Sequence, residues 1–119
     1  MTQSLSILLV EDEPLIAMMM EDIVDALGHR VAGSADTIPA ALELVEQGGF
    51  DVAILDVRIS DGASWPIADA LADRGIRYML ATGGHVEPPP PRHAEAPVLN
   101  KPFTLDGLRD KLDEVAAAA

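Results

Sequence analysis

Five polar residues in this chain are of the types that phosphoryl transfer uses: Glu11 and Asp12 within the run Glu11-Asp12-Glu13, then Asp56, Thr82 and Lys101. Three carboxylates brought together repel one another, and such a group needs a cation or a shared proton to persist. Mg²⁺ is a hard ion that takes octahedral oxygen ligands and keeps several waters. Asp12 and Asp56 are therefore expected as direct ligands, the backbone carbonyl of Arg58 as a third, and Glu11 as a ligand through water. A carboxylate can attack phosphorus and form an acyl phosphate when charge on the transferred oxygens is neutralised. Asp56 is the expected acceptor. Lys101, supported by Pro102, can pair with one phosphoryl oxygen while the Thr82 hydroxyl donates to another. Catalysis of this sort is mainly positioning plus electrostatics.

These residues are far apart in sequence, so secondary structure must gather them. Leu5 to Val10 is a short continuous apolar run, as in a strand buried on both faces of a parallel sheet. It ends at the acidic turn, and Pro14 opens a helix whose apolar residues recur from Leu15 to Leu27, stopped by Gly28. Arg30 to Ser34 can form a second strand. Thr37 and Pro39 open a helix that runs through Ala41, Leu42 and Val45 to the Gly48-Gly49 break. Val52 to Leu55 is a third buried strand, ending on Asp56. After a loop through Gly62, Ser64 with Pro66 starts a helix to about Arg74, and Ile76 to Ala81 reads as the fourth strand.

Gly83 to Pro97, with Gly83-Gly84 and the run Pro88 to Pro91, cannot sustain helical hydrogen bonds beyond a first turn and is expected to be irregular. Val98-Leu99 is a brief fifth strand. Thr104 caps a last helix with Leu105, Leu108, Leu112 and Val115 on one face, and the tail from Ala116 is expected to fray. Five strands alternating with four helices imply an α/β sheet with right-handed crossovers, whose ligands bind at the carboxyl ends of the strands. All five polar residues follow strand ends and should converge on that edge.

At 119 residues the chain has room for one core, and 49% of its residues are hydrophobic. A net charge of −12, from 20 acidic against 8 basic residues, disfavours nucleic acid and anionic membrane surfaces as partners. With no cysteine, disulfides and thiolate chemistry are excluded. The start lacks the basic residues and apolar run of a signal peptide, and no later run could span a bilayer. A cytoplasmic monomer is expected.

The segments Ile7-Leu8-Leu9-Val10-Glu11-Asp12-Glu13-Pro14, Ala53-Ile54-Leu55-Asp56-Val57, Ala81-Thr82-Gly83 and Asn100-Lys101-Pro102-Phe103 together resemble the receiver domains of two-component response regulators. The resemblance implies a flavodoxin-like, doubly wound five-stranded parallel sheet of order 2-1-3-4-5, here with the fourth helix short or disordered, and a single receiver over residues 1–119 with no output domain. It implies phosphorylation of Asp56 by a sensor histidine kinase or histidine phosphotransfer protein, dependence on Mg²⁺, and readout by Thr82 and Lys101. Such a protein is a phosphoacceptor rather than an enzyme, with slow self-dephosphorylation at most. Leu80-Ala81-Thr82-Gly83-Gly84, Trp65 to Leu71 and Pro97 to Phe103 are similar to the FAT GUY regulators of alphaproteobacteria, which implies HWE-type kinases and phosphate flow in a stress-response relay.

Val98 stands three residues before Lys101, where many receivers carry a switch Tyr or Phe, so the expected response to phosphorylation is a rearrangement of the Gly83 to Pro97 loop instead. Gly62 comes early after Asp56, and Ser60 stands where Pro is common. Each residue also has a plainer reading. The acidic run could serve the helix dipole, Asp56 could merely end a strand, Lys101 could face solvent, and Thr82 could be turn chemistry. His29, His85 and His93 have no ligand spacing and read as surface or loop residues. Met18 to Met20 divide between core and surface, Arg58 reads as a modulator or an exposed salt-bridging residue, and Trp65 as partly exposed near the site. Competing functions are an aspartyl-phosphate phosphohydrolase, disfavoured by Arg58 where a second acid is common, and a pseudo-receiver that binds without phosphorylation.

Overall fold

A computed structural model describes residues 4–82, 89–100 and 104–117. Its main sheet is parallel and contains β1 (Ser6–Val10), β2 (Arg30–Ala35), β3 (Val52–Asp56), β6 (Arg77–Thr82) and β7 (Val98–Asn100), in the order β2-β1-β3-β6-β7. Four helices connect or follow these strands: α1 (Pro14–Ala26), α2 (Ile38–Gln47), α3 (Trp65–Asp73) and α4 (Leu105–Ala117). The order is the expected one once two short strands are set aside. These are β4 (Arg58–Ile59) and β5 (Gly62–Ala63), an antiparallel pair where the sequence suggested only a loop.

Side chains alternate across a strand, and every inner strand is covered on both faces. Ile7, Leu9, Ile54 and Met79 pack on one side with Met20 and Val24 of α1 and Leu108, Leu112 and Val115 of α4. Leu8, Val10, Ala53, Leu55 and Leu80 pack on the other with Ala41 and Val45 of α2 and Ile67, Ala68 and Leu71 of α3. All of these are fully or almost fully buried. Truncating any of the large ones to Ala is expected to cost about 2–5 kcal/mol.

Caps set the helix limits. Thr37 Oγ1 accepts from Ala40 N at 3.2 Å, and the Asp61 carboxylate accepts from Ile38 N at 3.0 Å, so two donors at the start of α2 are satisfied. Gly48 closes the same helix at φ 72°, a conformation costly for any residue with a Cβ. Thr104 Oγ1 accepts from Gly107 N at 2.9 Å, as its cap role requires.

The two outer strands are irregular or brief. β2 slips its register opposite Ile7 and Leu8, whose partners are Val31 and Gly33, and β7 is three residues long.

Several expectations need correction. Leu105 is 41% exposed and does not share the buried face of Leu108. Helix α4 continues to Ala117, past the point where fraying was expected. His29 and His93 lie in connecting segments, one of the two places expected for them, but are buried rather than at the surface: they are 6% and 1% exposed. The Nδ1 of His29 accepts from Leu5 N at 3.0 Å, which gives the ring a reason to be inside. In the Gly83 to Pro97 stretch, residues 83–88 lie outside the described residues, and Pro91–His93 forms one 3₁₀ turn. The Pro90 carbonyl accepts from His93 N at 2.8 Å there.

Candidate functional site

Sheet register places the acidic residues. Val10 pairs with Leu55, and both strands run the same way, so Glu11 and Asp56 lie side by side one step beyond that pair. Asp56 in turn pairs with Ala81, which puts Thr82 one step further along the next strand. Asp12 follows Glu11 into the turn that Pro14 converts to helix. Among the described residues, one carboxylate oxygen from each of Glu11, Asp12 and Asp56 lies within 4.8 Å of the others.

Each acid is held by neighbours. Glu11 is 3% exposed, its N–H donates to Ala35 O at 3.0 Å, and its Oε2 accepts from Glu13 N at 3.2 Å. Asp12 Oδ2 accepts from the Ser60 hydroxyl at 2.6 Å. That hydrogen bond is the main reason the Asp12 carboxyl lies below its usual pKa; burial opposes it, and backbone donors of Asp12 and Ser60 add to it. Asp56 Oδ1 accepts a long bond from Arg58 N at 3.4 Å. The Asp56 backbone is fixed from behind: the buried Ser64 hydroxyl donates to Asp56 O at 2.6 Å and approaches Val57 O at 3.1 Å. Val57 N donates to Ala81 O at 3.0 Å.

This donor set fits a hard divalent cation. The donors are oxygen only, as such an ion prefers, and the group carries three formal negative charges in a partly buried setting.

Of the expected site residues, the structure brings together Glu11, Asp12 and Asp56, with Thr82 (4% exposed) on the neighbouring strand. Arg58 is exposed on β4 and makes no ion pair among the described residues. Lys101 and Pro102 lie outside the described residues. Sequence reasoning missed Ser60 as a partner of Asp12 and a second role of Ser64. Ser64 is the N-cap of α3, as expected, but its hydroxyl makes no cap bond to that helix and donates to the Asp56 carbonyl instead. The only sign of Ser60 in the sequence was its standing where Pro is common.

A second polar cluster lies under the segment before β7. His93 contacts the Tyr78 hydroxyl through Nδ1 and Asp69 through Nε2, and its ring stacks on Trp65. Arg92 pairs with Asp69 and Asp73.

A doubly wound parallel sheet with three acids at its carboxyl edge, the central one ending β3, defines the receiver class of signalling domain. The response regulator receiver domain model matches residues 7–88, and the chain belongs to that family. It is similar to SdrG from Sphingomonas melonis Fr1, at 47% identity over 98% of this chain and 99% of that one, with a TM-score of 0.85. The BeF₃-activated conformation of SdrG, there assigned to Pseudomonas melonis Fr1, gives a TM-score of 0.79 at 47% identity, covering 94% and 97%. A 59-residue stretch is 44% identical to the phyllosphere-induced regulator PhyR of Methylorubrum extorquens, which is 49% of this chain but only 22% of that protein. A solved PhyR described as a stress response regulator matches at 26% identity over 95% of this chain and 45% of its own, with a TM-score of 0.77. The chain thus spans about half the length of that PhyR. Among the described residues no helix is long and apolar enough to cross a membrane.

Proposed function

We propose that this receiver accepts a phosphoryl group on Asp56 from the phosphohistidine of a sensor histidine kinase or a histidine phosphotransfer protein, in the cytoplasm, and so adjusts phosphate flow in a stress-response relay. The observation that carries this reading is the convergence of Glu11, Asp12 and Asp56 oxygens within 4.8 Å at the end of β3. An Asp56 oxygen forms a bond to phosphorus as the P–N bond to the donor histidine breaks, and the electron pair of that bond stays with the imidazole nitrogen. Asp12, Asp56 and the Arg58 carbonyl would hold Mg²⁺, with Glu11 reaching it through water. When bound, the ion supplies positive charge against the phosphoryl oxygens. Thr82 and Lys101 bind the remaining oxygens, and Ser64 keeps the Asp56 backbone from yielding as the carboxylate becomes a mixed anhydride. No turnover of a free small substrate is part of this role. The likeness to SdrG and PhyR supports the stress-relay setting.

Transfer from a panel of purified phosphorylated kinases to wild type and Asp56→Asn, with Mg²⁺ and with EDTA, tests the proposal. Labelled wild type in Mg²⁺ alone is expected. Label retained on the Asn variant, or transfer surviving EDTA, sinks it.

A further inference from the structure

The short β4–β5 pair gives Asp12 a partner from 48 residues away. Its turn consists of Ser60 and Asp61, with Arg58 opposite Ala63 and Ile59 opposite Gly62. The turn is anchored on both sides. Ile59 is 4% exposed within the core, Ser64 N donates to Val57 O at 2.9 Å, and Gly62 at φ 129° takes a conformation that residues with a Cβ rarely adopt. Two adjacent side chains at the tip of this rigid piece then reach in different directions. Ser60 donates to Asp12 at 2.6 Å, and Asp61 accepts from Ile38 N at the start of α2 at 3.0 Å.

We propose that Ser60 is a positioning residue for the cation ligand Asp12, and that the Ser60-Asp61 turn transmits occupancy of the cation site to the start of α2. The proposal rests on the functional reading above. The terminal torsion of an aspartate is broad when nothing holds it. A hydroxyl donating to one carboxylate oxygen selects one orientation and leaves the second oxygen to meet the ion, so less freedom is lost on binding. Ser60 is exposed and fills no core space. Its hydroxyl therefore acts on the site without being needed for the fold. Partners that orient metal ligands in this way typically change metal affinity by about 10–100-fold when removed.

The test is a Mg²⁺ titration of the whole, unphosphorylated chain, read by Trp65 fluorescence and by amide NMR shifts, for wild type, Ser60→Ala and Ser60→Thr. Ser60→Ala is expected to weaken Mg²⁺ binding about tenfold with only a slight fall in metal-free melting temperature, and Ser60→Thr to restore it. In wild type the Ile38 amide should move with Mg²⁺, and in Ser60→Ala that movement should shrink beyond what lower occupancy explains. Wild-type affinity in Ser60→Ala overturns the positioning role while leaving the metal site standing. Tighter binding in that variant also overturns it, because the hydroxyl then competes with the ion. Absence of Mg²⁺ binding to wild type removes the functional reading and this inference together.

Discussion

His93 Nε2 lies 2.7 Å from Asp69 Oδ1, which ties the segment after β6 to the middle of α3. The ring is buried, with Trp65 stacked on it at 5.7 Å and 8° and Tyr78 edge-on at 5.5 Å. Prolines 89 to 91 supply no backbone donors, so side chains share with the remaining backbone bonds the work of holding this segment in place. His93→Ala removes two hydrogen bonds and a stacked ring and is expected to cost about 2–3 kcal/mol in denaturant unfolding. Arg92 is half exposed and its acidic partners are half exposed or more, so Arg92→Ala is expected to cost clearly less than His93→Ala. Equal losses from the two variants would contradict this ranking.

Tyr78 gives the same cluster a pH dependence. Burial pushes its phenol above the usual value; Arg92 pulls it down and Asp69 adds to the rise. A folded pKa above the unfolded one means that the fold favours the protonated phenol. That stability is fully present below about pH 10, the unfolded value, and is lost as pH rises through the folded pKa. Tyr78 is the sole tyrosine, so tyrosinate absorbance reports it directly. Its titration should fall at higher pH in the native chain than in urea, and coincident curves would refute the claim.

Ser64 is fully buried and donates to the carbonyl of the proposed acceptor. Ser64→Ala leaves that carbonyl without its partner and is expected to cost about 1–2 kcal/mol. It should also slow phosphoryl acceptance, because the Asp56 side chain is then aimed by a looser backbone. Thermal unfolding and transfer rates on one preparation separate the two effects. A destabilised variant with an unchanged rate would confine Ser64 to the fold.

Asp56→Asn removes one of the three acids whose oxygens lie within 4.8 Å of one another and is expected to weaken Mg²⁺ binding. Mg²⁺ should therefore raise the wild-type melting temperature more than that of the Asn variant, since an ion that binds only the folded state stabilises by mass action. Melts with EDTA and with rising Mg²⁺ give both numbers. An equal rise in the two proteins would remove Asp56 from the cation site.

The sheet and its helices were legible because apolar strands covered on both faces leave continuous runs, and because Thr37, Gly48 and Thr104 mark helix limits. The Glu11, Asp12 and Asp56 group followed from strand ends alone. The β4–β5 pair was not legible: two-residue strands have no period to detect, and Ser60 acts on an acid 48 positions away. The burial of His93 was missed because a lone histidine carries no local sign of it. Only the fold brings Asp69, Tyr78 and Trp65 around it. Leu105 fits the apolar spacing of α4 yet sits in the first turn, beyond the reach of the sheet.

The two outer strands of the sheet fail as templates for different reasons. A sheet with nearly all-apolar inner strands becomes an aggregation hazard when its edge is long and flat enough to recruit another chain. Here β2 breaks its own ladder beside Ile7 and Leu8 and carries Arg30 at its start, while β7 offers three residues. Among the described residues, neighbouring molecules in a crowded solution therefore meet no long straight row of amides to extend, and the chain can keep a sticky interior without advertising it.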